Sequence, residues 1–377
     1  MSLDTLKDFL EPINQALLSN DEGYKETQLG YHILQHDQAL PDLATADLVL
    51  VGCSELRGMG QQFTDTSAPD AIRSALYQLF YWHTEVVVAD LGNIKTGATL
   101  QDSYAAVQMV VNELLQAGKK VLIMGGSHDM TLAQYQAYAH QEQIIDAVGV
   151  DARIDLNMDS REPADQFLAD LFTALPNYLR HYTHIGFQSY FMHPNMLETI
   201  DNLGFDCFRV GKVKEAIEEM EPAIRNSQLF SFDLAAIQHA HAPANRISPN
   251  GFNGEEACTL MQYAGMSKTC TSIGVYGYLP QQDEHGMSAL QQAHMIWYVL
   301  DGIHRGKQEA DLDNRQAFNE FNLAFAEVET VFLQNKRTGR WWVQLPDGPF
   351  IACTYQDYLI ACNNDIPERW LRAVERS

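Results

Sequence analysis

Four side chains able to hold a hard divalent cation stand in three short polar clusters. They are His128 in GGSHD (Gly125 to Asp129), Asp151 and Asp155 in DARID (Asp151 to Asp155), and Asp233 in SFDLA (Ser231 to Ala235). Ions such as Mn²⁺ take oxygen ligands with an occasional imidazole, and one imidazole with three carboxylates is such a set. Any one of these residues alone reads more simply as a helix cap or a satisfied polar group. Together they argue for a shared ion, because three buried carboxylates without a cation or basic partner are unfavourable. Asp151 and Asp155, four apart, can converge on one point where a strand turns into a loop.

Each cluster ends a short, β-branched apolar run: VLIMGG at Val121 to Gly126, DAVGVD at Asp146 to Asp151, and LFSFD at Leu229 to Asp233. Similar runs occur at LVLVG (Leu48 to Gly52), around Val86 to Val88, from His184 and from Thr271. Strands apolar on both faces belong to a parallel sheet covered by helices. Between them, Val107, Val110, Val111, Leu114 and Leu115 recur at helical spacing, and a second helix is expected from Ser288 to Gly306, with Ser288 and Gln291 as a capping box. NGFNGEE, Asn250 to Glu256, reads as a turn and helix start. This alternation predicts an α/β domain, whose ligands gather at the carboxyl edge of the sheet.

The chain has 377 residues, with 25 Lys plus Arg against 49 Asp plus Glu, a net charge of −24. Such acidity disfavours nucleic acid and anionic membrane surfaces as partners and leaves a small-molecule substrate or ligand. A composition of 46% hydrophobic and 20% charged residues excludes disordered, collagen-like and coiled-coil classes. Six scattered cysteines with no CxxC pair, no run of apolar residues long enough to span a bilayer, and an opening MSLDTLKDFLEPINQALL that reads as a first helix give a cytoplasmic, reducing location as the expectation. GKQEADLDNRQ, Gly306 to Gln316, divides a domain over 1–306 from an extension over 307–377. In that extension TVFLQNKRTGRWWVQLP predicts a hairpin turning at Arg337, Thr338 and Gly339, with Trp341 and Trp342 in its packing.

From about Leu48 to Gly306 the pattern resembles the ureohydrolases: arginase, agmatinase and formimidoylglutamase. GGSHD is similar to that family's GG(D/S)HS, DARID to DAHxD, SFDLAAIQHAHAPAN to SxDxDxxDPxxAPG, and SAPDAIR (Ser67 to Arg73) to GPxxIR. The resemblance implies a three-layer α/β arginase-like fold with a mostly parallel central sheet, here with a C-terminal hairpin extension. It implies metal-dependent hydrolysis of amidino C–N bonds and assembly into homo-oligomers. It also implies that His128, Asp151, Asp155 and Asp233 match the complete ligand set of the first of two metals.

The second metal's ligands are replaced: Arg153 stands for the histidine of DAHxD and Ala235 for the second aspartate of SxDxD. Two dications balance four aspartates in the family, whereas one dication plus Arg153 would balance Asp151, Asp155 and Asp233. On this reading the Arg153 guanidinium occupies the second metal's place, held by the carboxylates, or else it points to solvent. The pocket glutamate of the family's ExNP is absent from Gly277, Tyr278, Leu279 and Pro280, and NMDSREPADQFLADL lacks the expected proton-transfer histidine. Asp155 and Arg153 are the candidate catalytic groups; His239, His241 and Tyr278 are candidates for contacting substrate. The expectation is a formimidoylglutamase-like hydrolase with at most one divalent cation, Mn²⁺ first among candidates. The alternative is an inactive pseudoenzyme with a binding or structural role, with or without metal.

Overall fold

The structure, a computed structural model, describes residues 3–14, 18, 23–61, 67–325, 328–346 and 348–375. Ten of its strands form one sheet: β1 (Leu10–Glu11), β2 (Leu34–Gln35), β3 (Leu48–Cys53), β4 (Val88–Ile94), β5 (Lys120–Met124), β6 (Ile145–Val150), β7 (Leu179–Phe187), β8 (Asp206–Arg209), β9 (Leu229–Asp233) and β10 (Ser272–Tyr276). Their order is β1-β4-β3-β5-β10-β9-β6-β7-β8, with β2 also on β4, and only β1 runs antiparallel to its neighbour. The helices used below are α1 (Ala68–Leu76), α2 (Leu100–Gln116), α3 (Met130–His140), α4 (Gly254–Met266) and α5 (Met287–Lys307).

Strand β3 shows why the fold has three layers. Its Leu48 and Leu50 join Ile72 of α1, Ala257 of α4 and Ile296 of α5 in one apolar cluster. Val49 and Val51 join Val107, Val110, Val111 and Leu114 of α2 and Ala133 of α3 in another. Successive side chains point to opposite faces, so a strand apolar throughout must be covered twice. The α/β, mostly parallel architecture anticipated from these runs is present. Arg73 on α1 ties that helix to the sheet, its Nε and Nη2 donating to the two Asp90 oxygens at 2.8 and 2.9 Å.

Three local expectations change. The opening segment is not one long helix: a 3-10 helix (Leu3–Asp8) leads into β1, while part of the expected helix, 15–17, lies outside the described residues. Helix α5 is capped by Asp283, whose two carboxylate oxygens accept from Ser288 N and Ala289 N at 3.0 and 2.9 Å, and not by Ser288 with Gln291. The Ser288 hydroxyl instead accepts from Ala244 N at 2.8 Å. The hairpin forms between β12 (Val328–Asn335) and β13 (Trp341–Gln344), with Gly339 at φ +73° in its turn. It is the centre of a larger, four-stranded antiparallel sheet completed by β11 (Phe318–Phe325) and β14 (Phe350–Cys353). Its apolar faces need covering on both sides: Phe325, Phe332, Trp341 and Trp370 cluster on one, Phe318, Leu333 and Trp342 on the other.

All six cysteines are free, and among the described residues no helix is long and apolar enough to cross a membrane.

Candidate metal centre

The four residues approach one another because β5, β10, β9 and β6 are adjacent and end at the same edge. His128 leaves that edge through Gly125 and Gly126, at φ +82° and +87°, a left-handed turn that glycine takes without strain. Gly277, after β10, donates from N to the Gly126 carbonyl at 3.0 Å, fixing the turn against the neighbouring strand.

His128, Asp151, Asp155 and Asp233 are all buried. His128 Nδ1 faces the carboxylates, 3.1 Å from Asp155 Oδ2, 3.3 Å from Asp151 Oδ2 and 3.9 Å from Asp233 Oδ2. Ligand atoms of His128, Asp151 and Asp233 lie within 4.8 Å of one another. On the other side of the ring the Ser231 hydroxyl is 3.2 Å from Nε2, and the Phe167 ring packs edge-on at 5.0 Å between centroids.

Without an ion these charges conflict. Burial and the Asp151 charge push the Asp155 carboxyl up to about 7, and the same two causes push Asp233 up to about 6. Burial opposes ionisation of Asp151 too, but hydrogen bonding to His128 and the imidazolium charge hold it below the ordinary carboxylate value. For His128, burial opposes the charge, yet the three aspartates hold its pKa well above that of a free imidazole. Carboxylates that cannot all ionise together, aimed at one imidazole, form a donor set suited to a hard dication.

The surrounding cavity measures about 310 Å³ and is lined by Arg153, Ala235, Glu162, Asp165, Asn245, Arg246 and Gln282 among others. Arg153 does not fork onto the three aspartates: its Nη2 pairs with Asp165 Oδ1 at 3.3 Å, with its side chain 37% exposed. The side chain extends along the cavity wall toward Asp165, neither buried among the aspartates nor free in solvent. Its charge still raises no conflict there, since Asp151, Asp155, Asp165 and Asp233 all favour the guanidinium. Ala235 offers the cavity only a methyl group.

His239, His241 and Tyr278 are not among the groups lining this cavity. The two histidines are exposed, and His239 Nδ1 lies 2.9 Å from the Asn245 carbonyl. Tyr278 turns into the core and its hydroxyl donates to Asp283 Oδ2 at 2.9 Å, supporting the α5 cap. An aromatic ring with a hydroxyl satisfies both demands there: the ring packs and the oxygen caps.

Other residues prove structurally important to the centre. His184, in the middle of an apolar strand, has its Nε2 at 3.1 Å from the Asp151 carbonyl oxygen and its Nδ1 at 3.1 Å from the Tyr182 hydroxyl. Burial lowers its pKa to about 4, so the ring is neutral: Tyr182 donates to Nδ1 and Nε2 donates to Asp151 O. A histidine in an otherwise apolar run was the signal for this contact. Gly277 sits at φ +78°, and a β-carbon there would lie 2.5 Å from Asp233 Oδ2. A glutamate there would need a strained backbone and a displaced Asp233 carboxylate.

A family model for the arginase family matches residues 46–301. The chain belongs to the arginase family. The family region therefore contains every residue of the centre and stops before the C-terminal sheet. A formimidoylglutamase from Hahella chejuensis is 30% identical over 149 residues, covering 37% of this chain and 45% of that protein. One from Lysinibacillus sphaericus is 22% identical over 314 residues, covering 77% and 94%. Among solved arginase-family folds, Bacillus subtilis formimidoylglutamase superposes with a TM-score of 0.65 at 17% identity, covering 80% of this chain and 98% of that one. Trypanosoma cruzi formiminoglutamase with Mn2+2 gives 0.62 at 17% identity, covering 69% and 94%.

Proposed function

We propose that this arginase-family chain is a formimidoylglutamase-like hydrolase of linear amidino C–N bonds that works with a single divalent cation, Mn²⁺ in the first instance. The observation that carries the reading is the convergence of Asp151, Asp155 and Asp233 on His128 Nδ1 inside a cavity large enough for a small substrate. The four residues would hold the ion; formimidoylglutamases among the relatives, one of them solved with Mn2+2, support both the chemistry and the metal. A cation held there supplies Lewis acidity and a lowered pKa for water.

The chain's own groups do the rest. Ser231 takes the Nε2 hydrogen of His128 and leaves Nδ1 directed at the carboxylates, and His184 fixes the Asp151 carbonyl. Asp155 is committed as a carboxylate to the ion, and Arg153 can stabilise negative charge developing on oxygen beside it. Arg153 also disfavours a cationic group, guanidinium or amidinium, against this wall. With Arg153 and Ala235 in place of ligands, the second metal of the family has lost two of its donors.

The test is metal analysis of protein purified without chelator and reloaded with Mn²⁺, followed by assay of ammonia release from linear amidines. One Mn²⁺ per chain, absent in Asp155→Ala, with amidine hydrolysis supports the reading; no bound metal overturns it. The double variant Arg153→His, Ala235→Asp should bind a second Mn²⁺, and failure to do so counts against a site dismantled by those two positions. Gly277 and Ala235 favour a second reading, a non-catalytic binding protein, which one bound Mn²⁺ with no hydrolysis of any amidine would select.

A further inference from the structure

A second nitrogen-rich cluster lies at the opposite, amino edge of the sheet, where the loop leading into β4 meets the last turns of α5. His83 and Glu85 come from the loop and His304 from the helix, and each offers one ligand atom within 4.8 Å of the others. The His304 Nδ1 and Glu85 Oε1 atoms are in direct contact. The two imidazoles stack, centroids 4.3 Å apart and planes 17° from parallel, which places two ring edges side by side.

His83 Nε2 is fully buried and makes no hydrogen bond, although Asp301 Oδ1 is 3.0 Å away. The other oxygen of Asp301 is already engaged by Gln262 Nε2 at 2.5 Å and Arg305 Nε at 2.8 Å. The Asp301 carboxylate is an outer partner for that ring, of the kind that orients a metal-bound imidazole. The Gln308 amide is 2.8 Å from His304 Nε2. Its two ends are interchangeable, and with the oxygen toward the ring it accepts the Nε2 hydrogen and frees Nδ1 to bind. Glu85 is 48% exposed, so the cluster opens to solvent on its carboxylate side.

We propose that His83, Glu85 and His304 form a second metal site, separate from the carboxyl-edge centre, that takes Zn²⁺ or a similar borderline first-row ion and pins the loop before β4 to α5. Two imidazoles with one carboxylate are a zinc-type donor set, whereas three carboxylates with one imidazole suit Mn²⁺, so the two edges of the sheet sort ions by donor chemistry. Helix α5 separates the sites: its first turn is capped by Asp283 beside the carboxyl edge, and the helix runs about 25 Å from Met287 before His304 is reached.

The experiment is equilibrium dialysis against Zn²⁺, with Co²⁺ as a spectroscopic substitute, on the Asp151→Asn, Asp233→Asn double variant, in which the carboxyl-edge centre is disabled. One Zn²⁺ per chain is expected there, and Co²⁺ should give visible absorption and quench tryptophan emission, since Trp297 lies 5.7 Å from His83 between ring centroids. Adding His83→Ala or His304→Ala should weaken Zn²⁺ binding by more than about a hundredfold, beyond the loss from disturbing an outer partner. In the otherwise native chain these variants should leave Mn²⁺ binding unchanged. Glu85→Gln, at a half-exposed side chain, serves where a histidine variant fails to fold, and should also weaken Zn²⁺ binding. No Zn²⁺ in the double variant, or the same Zn²⁺ affinity in all three further variants, overturns the proposal and leaves the cluster as ordinary ion pairs.

Discussion

Where the C-terminal sheet meets the family fold, buried charges come with partners: Arg340 pairs with Glu221 and Glu309 at 2.8 Å each, Arg225 with Glu221 at 2.7 Å, and Arg369 with Asp357 at 3.0 Å. Arg225 also lies over the Trp342 ring at 4.4 Å. At the carboxyl edge of the parallel sheet, three carboxylates face one imidazole, and the nearest guanidinium, Arg153, pairs with Asp165 instead. Both regions are buried and rich in charge, but the first is balanced by side chains and the second is not. A balanced cluster holds two parts of the chain together on its own terms. An unbalanced one keeps its charge only with a bound ion, which is what makes it a candidate centre for chemistry.

That contrast can be broken at either end. The largest effect is expected from Arg340→Ala, which leaves Glu221 and Glu309 without their shared cation: chemical denaturation should show a loss of about 3–5 kcal/mol, with Mn²⁺ stoichiometry unchanged in the folded fraction. Asp155→Asn should act the opposite way. Mn²⁺ affinity by calorimetry should fall by more than about a hundredfold, or about 2.7 kcal/mol, while the metal-free protein becomes no less stable, because a carboxyl pushed up to about 7 by burial and the Asp151 charge has been removed.

The two regions should also differ in pH response. Asp155 and Asp233 are held at about 7 and about 6, so the metal-free fold keeps protons that the unfolded chain has released. Their contribution is present at low pH and lost as pH rises through those values. His128, also raised, adds stability below the free imidazole value that is lost only as pH climbs through its folded value, whereas Asp151, lowered, adds stability that is lost as pH falls through its folded value. Thermal scans of metal-free protein should therefore show stability declining from about pH 4, where unfolded carboxyls ionise, to about pH 7, with Mn²⁺ removing the decline; a flat profile without metal would refute the charge conflict. The smallest effect is expected at the seam's edge, where Thr354→Ala removes a cap whose hydroxyl accepts from Asp357 N at 3.2 Å. It should lower stability by about 1 kcal/mol in denaturant titrations and leave metal binding untouched.

The strands that carry the centre were legible because each is a short apolar run ending in an unusual polar cluster, and His128, Asp151, Asp155 and Asp233 stand at those ends whatever the helices between them do. What lay beyond reach were contacts made by residues distant in sequence. His239 and His241 look like pocket residues in QHAHAPAN, yet the loop presents them outward, and Tyr278 follows a strand of the site but packs under the cap of α5. Arg153 could be placed beside the aspartates by its position in DARID. Its partner, Asp165, is set by how the segment after β6 folds back over the cavity.

Sequence alone determined the α/β class, the parallel sheet, the family pattern and the identity of the four converging side chains, since period, burial and strand-end position are local properties of the chain. Tertiary structure decided which charges balance which. Only packing brings Gly277 so near Asp233 that a longer side chain would displace its carboxylate, turns His184 onto the Asp151 carbonyl, and sets His83 beside His304 across more than two hundred residues of chain. Charge balance in a buried site depends on distances of a few ångströms between remote segments, and no local pattern in the sequence encodes them.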